Sequence, residues 1–407
     1  MRFLDILLLF QWECFMDYIT RKLDIKERLN RKSVLLLGPR QTGKTSYIKN
    51  ELTQSVRAKW DLLNSRTRRQ LEADPQILND QIAALDINPE TDILVIDEIQ
   101  KVPALLDVVH AIIEEKKIRF LITGSSARKL KKEGINLLGG RASKTTLLPF
   151  VYEELKTHGE KSLEEIFLRG MLPPAWDDDD PEAFLDDYIS TYLQDEIATE
   201  GVTRNLPGFG NFLKIAALQS GEQLNYSNIA NDIGMSRQSI ANWYQVLEDT
   251  LLGFQLQPWK KSVKRKSVSI TKFYLFDVGV TRSLSEIEVP SDTQSDYGRL
   301  FENFIAMELK AWHDYSRRKE TLCYWRTENG TEVDFVIGDD IAIEVKATRN
   351  PTSRNLEGLR KIGEEKIFKQ RILVCRENMP RKTDEGILIL PWQEFLHRLW
   401  ENRFLPQ

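Results

Sequence analysis

Short apolar runs alternate with amphipathic stretches from Ser33 to Leu148, which predicts a parallel sheet covered by helices on both faces. The candidate strands are Val34 to Leu37, Lys59 to Leu63, Ile93 to Ile96, Ile118 to Thr123 and Thr145 to Leu148. Between the third and fourth, Leu105, Val108, Val109, Ile112 and Ile113 keep a 3.6-residue period and predict a helix over Ala104 to Glu115. After Pro149 the pattern is mostly helical as far as Leu252, interrupted by Pro173-Pro174 and by the acidic run Asp177 to Asp180, which reads as a solvated linker. Within it, Tyr226 to Glu248 reads as a helix-turn-helix. Ile229 and Ala230 face inward from the first helix, Gly234 makes the turn, Ser236 caps the second helix, and Ile240, Trp243, Tyr244 and Leu247 form its buried face. Strands follow at Leu251 to Leu256 and Lys272 to Phe276, flanking Lys260, Lys261, Lys264, Arg265 and Lys266, so the unit looks like a winged helix with a basic wing.

The first strand runs into Gly38-Pro39-Arg40-Gln41-Thr42-Gly43-Lys44-Thr45-Ser46, the spacing of a phosphate-binding loop between strand and helix. Successive backbone N–H groups in a tight glycine turn, with the helix N-terminus behind them, form a concave site for anionic oxygens. Lys44 adds a point charge near the β and γ phosphates of a nucleoside triphosphate, and the Thr45 hydroxyl is placed to ligate Mg²⁺. The third strand ends in Asp97-Glu98: Asp97 for the water shell of the Mg²⁺, Glu98 to orient or deprotonate the attacking water. The fourth ends in Gly124-Ser125-Ser126, whose hydroxyls either sense the γ-phosphate or are ordinary loop polarity.

At 407 residues the chain is long enough for two or three domains. A formal charge of −4 excludes global attraction to nucleic acid, so such contact must come from local patches. On the helix-turn-helix unit, Arg237, Gln238 and Asn242 would face a major groove while the wing cations neutralise phosphates; packing against protein is the competing reading. Cys14, Cys323 and Cys375 are odd in number and far apart, which fits a reducing cytoplasm and no metal-ligand spacing. The apolar stretch Phe3 to Phe10 is too short for a membrane span and lacks a small-residue cleavage site, so no membrane partner is expected. Met16 opens a more ordinary beginning, which makes the first fifteen residues either an upstream start or a short docking helix.

Two alternating strands near the C-terminus, Gly330 to Ile337 and Ile341 to Lys346, surround Gly338-Asp339-Asp340. A hairpin closed symmetrically about Asp339 sets Asp334 opposite Glu344 and Glu332 opposite Lys346. Two opposed carboxylates repel unless a positive charge sits between them, either a divalent cation or, less completely, Lys346. An amphipathic helix from Arg299 to Trp312 carries Glu302, and a basic helix from Arg354 to Lys366 and a strand from Arg371 to Cys375 follow the hairpin. That order of elements, with Asp334, Glu344 and Lys346 at their spacing, resembles the PD-(D/E)xK nuclease superfamily. The resemblance implies that Asp334 and Glu344 hold Mg²⁺, Lys346 stabilises the nucleophile and Glu302 supports the site.

Gly38 to Thr45, Asp97 to Pro103, Thr123 to Ser126 and Gly140-Arg141 are similar to a family of prokaryotic AAA-type ATPases with a C-terminal domain of unknown function. Phe273 to Gly279, Glu302-Asn303-Phe304 and Gly330 to Phe335 resemble that C-terminal domain. The resemblance implies that Arg141 acts on the γ-phosphate, in its own subunit or a neighbouring one; a plain surface arginine is the alternative. The expected organisation is α/β: an extension over 1–16, a P-loop core over 17–150, a helical linker or lid over 151–205, a winged helix over 206–290 and an α/β nuclease-like domain over 291–407. The function expected is that of a cytoplasmic Mg²⁺-dependent ATPase, open to homo-oligomerisation, whose nucleotide state controls a DNA-interacting C-terminal half. The alternative is an ATP-gated switch or scaffold that binds DNA or a protein partner without cleaving.

Overall fold

The computed structural model describes residues 18–126, 128, 140–193, 205–262 and 267–404. The expectations for residues 1–16, Cys14, Lys264, Arg265 and Lys266 lie outside these residues.

Strands β1 (Ser33–Leu37), β2 (Val56–Asp61), β3 (Ile93–Asp97), β4 (Arg119–Gly124) and β5 (Ala142–Thr146) form one sheet in the order β2-β3-β4-β1-β5, every pair parallel. Leu35, Leu37, Leu94, Ile96, Phe120 and Ile122 pack on one face with the helix Leu105–Lys116. Val34, Leu36, Val95 and Leu121 pack on the other with Tyr47 and Ile48 of the helix Lys44–Glu51. Burial on both faces is why the central strands read as unbroken apolar runs. The edge strands β2 and β5 are partly exposed and begin three residues before their expected positions, because half-solvated strands lack the continuous run that marks the others. Insertion of β4 between β1 and β3 brings the phosphate loop, the serines after β4 and the acids ending β3 to one rim of the sheet.

Past the sheet, Pro173 does not break a helix but opens one, Pro173–Asp177, where its missing N–H costs nothing. The acidic run is exposed, and its last member, Asp180, caps the helix Pro181–Asp187 by accepting from Ala183 N at 3.1 Å. Helices Leu206–Leu218, Tyr226–Ile233 and Arg237–Asp249 form a three-helix unit around Phe209, Phe212, Trp243 and Tyr244. Gly234 turns at φ 72° and Ser236 caps the last helix, as the sequence predicts.

A second sheet contains β6 (Gly253–Pro258), β7 (Lys272–Leu275), β8 (Leu322–Arg326), β9 (Glu332–Ile337), β10 (Ile341–Val345), β11 (Gln370–Cys375), β12 (Arg381–Lys382) and β13 (Leu388–Pro391). Its order is β12-β13-β11-β10-β9-β8-β6-β7, with the helix Ser295–Tyr315 packed on it. The hairpin register is the expected one, since Ile341, Ala342 and Ile343 pair with Ile337, Val336 and Phe335. The two strands expected after the helix-turn-helix are present and antiparallel. β6 pairs with β7 and also, in parallel, with β8, so these strands extend the C-terminal sheet. Trp259 Nε1 and Lys261 Nζ both donate to Asp339, at 3.0 and 2.6 Å, which holds the start of the basic segment against the β9–β10 turn.

One buried arginine ties the phosphate loop to the C-terminal half. Arg21 donates to the Thr42 carbonyl at 2.7 Å, to the carbonyls of Leu148 and Pro149 at 2.6 and 3.0 Å, and to Glu154 at 2.9 Å. Glu154 also accepts from Lys22 N at 2.5 Å and Val151 N at 3.1 Å. Two residues before it, Tyr152 N donates at 2.6 Å to Glu308 of the helix Ser295–Tyr315, whose other oxygen accepts from Trp400 Nε1 at 2.9 Å. Burial pushes the Glu308 carboxyl up to about 8, although both hydrogen bonds favour its charged form.

Removing one partner of a buried ion pair leaves the other uncompensated, so Arg21→Met is expected to cost about 3–5 kcal/mol in urea denaturation. The double variant Arg21→Met/Glu154→Leu should recover most of that loss; equal destabilisation by the single and double variants would mean that the pair does not act as a unit. For Glu308 the folded state binds its proton more tightly than the unfolded chain, from an ordinary value of 4.5 to about 8. Its contribution is therefore full below pH 4.5 and is lost as pH rises through about 8, a swing on the order of 5 kcal/mol. Melting curves of Glu308→Gln should show a flatter fall between pH 5 and pH 8 than the wild type; parallel curves would contradict the assignment.

Candidate functional site

The rim of the first sheet is shaped by backbone conformation before any side chain acts. Gln41 and Gly43 take left-handed φ values of 62° and 86°, which turns successive N–H groups of the loop inward. Lys44, at the start of its helix, reaches back to donate to the carbonyls of Gly38 and Pro39 at 2.8 and 2.9 Å, so its ammonium lies across the loop mouth. Gly38 has no room for a side chain: a Cβ there would stand 2.4 Å from the Leu147 carbonyl oxygen.

Asp97 is buried at the end of β3, and three groups converge on it. Thr123 of β4 donates to its Oδ1, Thr45 Oγ1 stands 3.4 Å from Oδ2, and Lys59 Nζ of β2 pairs with Oδ2 at 2.7 Å. The hydroxyl of Thr45 and the carboxylate of Asp97 are hard oxygen donors close enough to share one Mg²⁺ and its waters. Glu98 follows with φ 64°, a strained conformation for a side-chain-bearing residue, held by its N–H to Thr123 Oγ1 at 3.1 Å. Its carboxylate accepts from Gln100 Nε2, which also donates to Ser125 Oγ at 2.8 Å. Ser125 is thus linked to Glu98 through Gln100, while Ser126 leans toward the Asp249 carbonyl at 3.4 Å, at the end of the second helix of the helix-turn-helix.

A cavity of about 560 Å³ is lined by Lys44, Thr45 and Glu98 together with Tyr18, Ile19, Phe150, Pro173 and Pro174. No local pattern marks these five residues or Lys59, which come from segments that meet through the fold, and Gln100, two positions past Glu98, carries no site signal of its own. Arg141 corrects one expectation. It precedes β5, level with the start of β1, at the end of the sheet opposite the phosphate loop, and pairs with Glu114. A role on the γ-phosphate of its own subunit is therefore excluded by the strand direction.

In the second sheet, Glu344 and Asp334 come together as the register requires, with Lys346 between them. Lys346 Nζ lies 2.6 Å from Glu344 Oε1 and 3.5 Å from Asp334 Oδ2, which also accepts from Val345 N at 2.7 Å. Burial works against the Lys346 charge, but Asp334 and Glu344 outweigh it and push its pKa up. Burial and the nearby Asp334 push the Glu344 carboxyl well up, and Glu344 Oε2 is buried without a hydrogen-bond partner. Glu302 is engaged elsewhere: its Oε1 accepts from Tyr274 OH at 2.7 Å and lies 3.3 Å from Lys272 Nζ. Among the described residues no three His, Cys, Asp or Glu side chains are grouped to hold a metal ion. The expected set Glu302, Asp334 and Glu344 is therefore split, because Lys272 and Tyr274, both missed in the sequence, draw Glu302 toward β7.

On the helix-turn-helix unit Arg237, Gln238 and Asn242 are all exposed on one helix, with Gln238 Nε2 donating to Asn242 Oδ1 at 3.0 Å. Lys260 is exposed, while Lys261 is paired with Asp339. No helix among the described residues is long and apolar enough to cross a membrane.

Residues 30–156 match a family model described as an AAA domain. Residues 160–291 and 297–395 match two models described as domains of unknown function, DUF8612 and DUF4143. The limit between these two models falls at 291–297, yet β6 and β7 on one side of it share a sheet with β8 on the other. An uncharacterized protein of Mycobacterium tuberculosis is 26% identical over 339 residues, 81% of this chain and 73% of its own. An uncharacterized protein of Methanocaldococcus jannaschii is 26% identical over 348 residues, 78% of this chain and 75% of its own. Among solved structures, the Aeropyrum pernix ORC1 protein in complex with DNA aligns over 68% of this chain and 96% of that one at 13% identity; its TM-score of 0.27 is too low to support an inference. The AAA match falls on the phosphate loop and the Asp97–Glu98 strand end, so this region is a nucleotide-binding domain of the AAA P-loop type.

Proposed function

We propose that the protein is a Mg²⁺-dependent ATPase whose nucleotide state governs a DNA-interacting C-terminal half. The observation that carries the reading is the convergence of Lys44, Thr45 and Glu98 on one cavity, with Asp97 beside Thr45, within the AAA-matching region. The loop N–H groups and Lys44 bind the triphosphate, Thr45 and Asp97 hold the Mg²⁺, and Tyr18, Ile19, Phe150, Pro173 and Pro174 offer an apolar seat for the base. When bound, the Mg²⁺ neutralises charge on the phosphates. Glu98, released from Gln100, accepts a proton from the attacking water. Arg141 is the candidate for a contribution to the γ-phosphate of a neighbouring subunit.

Two contacts support coupling to the C-terminal half. The phosphate loop reaches Glu154 through Arg21, and the end of β4 reaches the second helix of the helix-turn-helix through Ser126. That helix presents Arg237, Gln238 and Asn242 outward, the polar face that a major groove accepts. Asp334, Glu344 and Lys346 support a second reading, a nuclease-like end, although the engagement of Glu302 by Lys272 counts against a loaded metal site.

Turnover and nucleotide binding in three proteins test the proposal. Glu98→Gln should retain ATP but lose at least about 100-fold in turnover, the scale of general-base removal, and Lys44→Ala should lose both. Undiminished turnover in either variant would refute the assignment. For DNA, affinity should fall steeply between 50 and 200 mM salt and weaken in Arg237→Ala; binding that is flat with salt would favour a protein partner.

A further inference from the structure

The acid cluster of the second sheet contains a cation that comes from another part of the chain. Lys272 opens β7, in the hairpin that follows the helix-turn-helix, and its side chain is 4% exposed. Its ammonium pairs with Glu332 and lies 3.3 Å from Glu302, and it also lies 5.4 Å from the centre of the Tyr324 ring. Around it stand four carboxylates, those of Glu302, Glu332, Asp334 and Glu344, against three cations, Lys272, Lys346 and Arg326, the last 2.7 Å from Glu332.

We propose that the Lys272 ammonium is the resident cation of this cluster and excludes a divalent ion from it. An ammonium and a divalent ion compete for the same oxygens, and Lys272 already occupies Glu302 Oε1 and Glu332 Oε1 beside Asp334 and Glu344. The unpartnered Glu344 Oε2 marks where the cluster lacks positive charge, and removing the Lys272 charge leaves four carboxylates facing two cations. The inference does not rest on ATP hydrolysis and stands or falls independently of it.

The test is a Mn²⁺ titration of the nucleotide-free full chain, with free Mn²⁺ read by electron paramagnetic resonance. Wild type and Asp334→Asn should titrate alike within about twofold, since the cluster admits no ion in either. Lys272→Met should gain one site at least about tenfold tighter than any in the wild type, and Lys272→Met/Asp334→Asn should lose it again. Lys272→Arg, which keeps the charge, should gain nothing. A wild-type site that disappears in Asp334→Asn would overturn the proposal whatever the stability of the Lys272 variants. A folded Lys272→Met protein with no added site would overturn it too.

Discussion

A charge removed from water has to meet its opposite, and that requirement shapes each functional region of this protein. Asp97 is met by Lys59, Arg21 by Glu154, and Glu302 and Glu332 by Lys272. These pairs occur where elements distant in sequence come together, and each fixes a geometry that apolar packing alone would leave loose. The nucleotide site depends on two of them. Arg21 holds the backbone of the phosphate loop at Thr42, and Lys59 keeps the Asp97 carboxylate at the rim where Thr45 approaches it.

The same kind of contact joins the two halves. The Arg21 guanidinium spans the loop and the residues around Pro149, and Glu154 and Glu308 continue the connection to the helix Ser295–Tyr315. Glu302 lies on that helix, less than two turns before Glu308, and faces the acid cluster. A change in the phosphate loop and a change at the cluster therefore bear on one rigid element from its two sides. The second sheet adds another link, because the hairpin after the helix-turn-helix supplies both β6, which pairs with β8, and the lysine in the cluster.

Local features were legible in the sequence and distant pairings were not. The phosphate loop, the acids ending β3, the turn at Gly234 with its Ser236 cap and the register about Asp339 are each determined by residues within about fifteen positions of one another. Buried parallel strands also announce themselves, since both faces demand apolar residues, whereas the half-exposed β2 and β5 were displaced. Arg21 and Glu154 lie 133 positions apart, and nothing near either residue names the other. Lys272 opens a strand whose other residues are aromatic or apolar, and its partners follow from sheet order alone. The pairing of β6 with β8 is hidden for the same reason, because β8 lies beyond the long helix.

The central claim is that the loop from Gly38 to Thr45 binds a triphosphate together with Mg²⁺ held by Asp97. Calorimetric titration of ATP into the full chain, with Mg²⁺ present and then with Mg²⁺ chelated, tests it most directly. Saturable binding of one ATP per chain is expected, weakening markedly when the metal is withdrawn. A folded protein that takes up no ATP under either condition would contradict it.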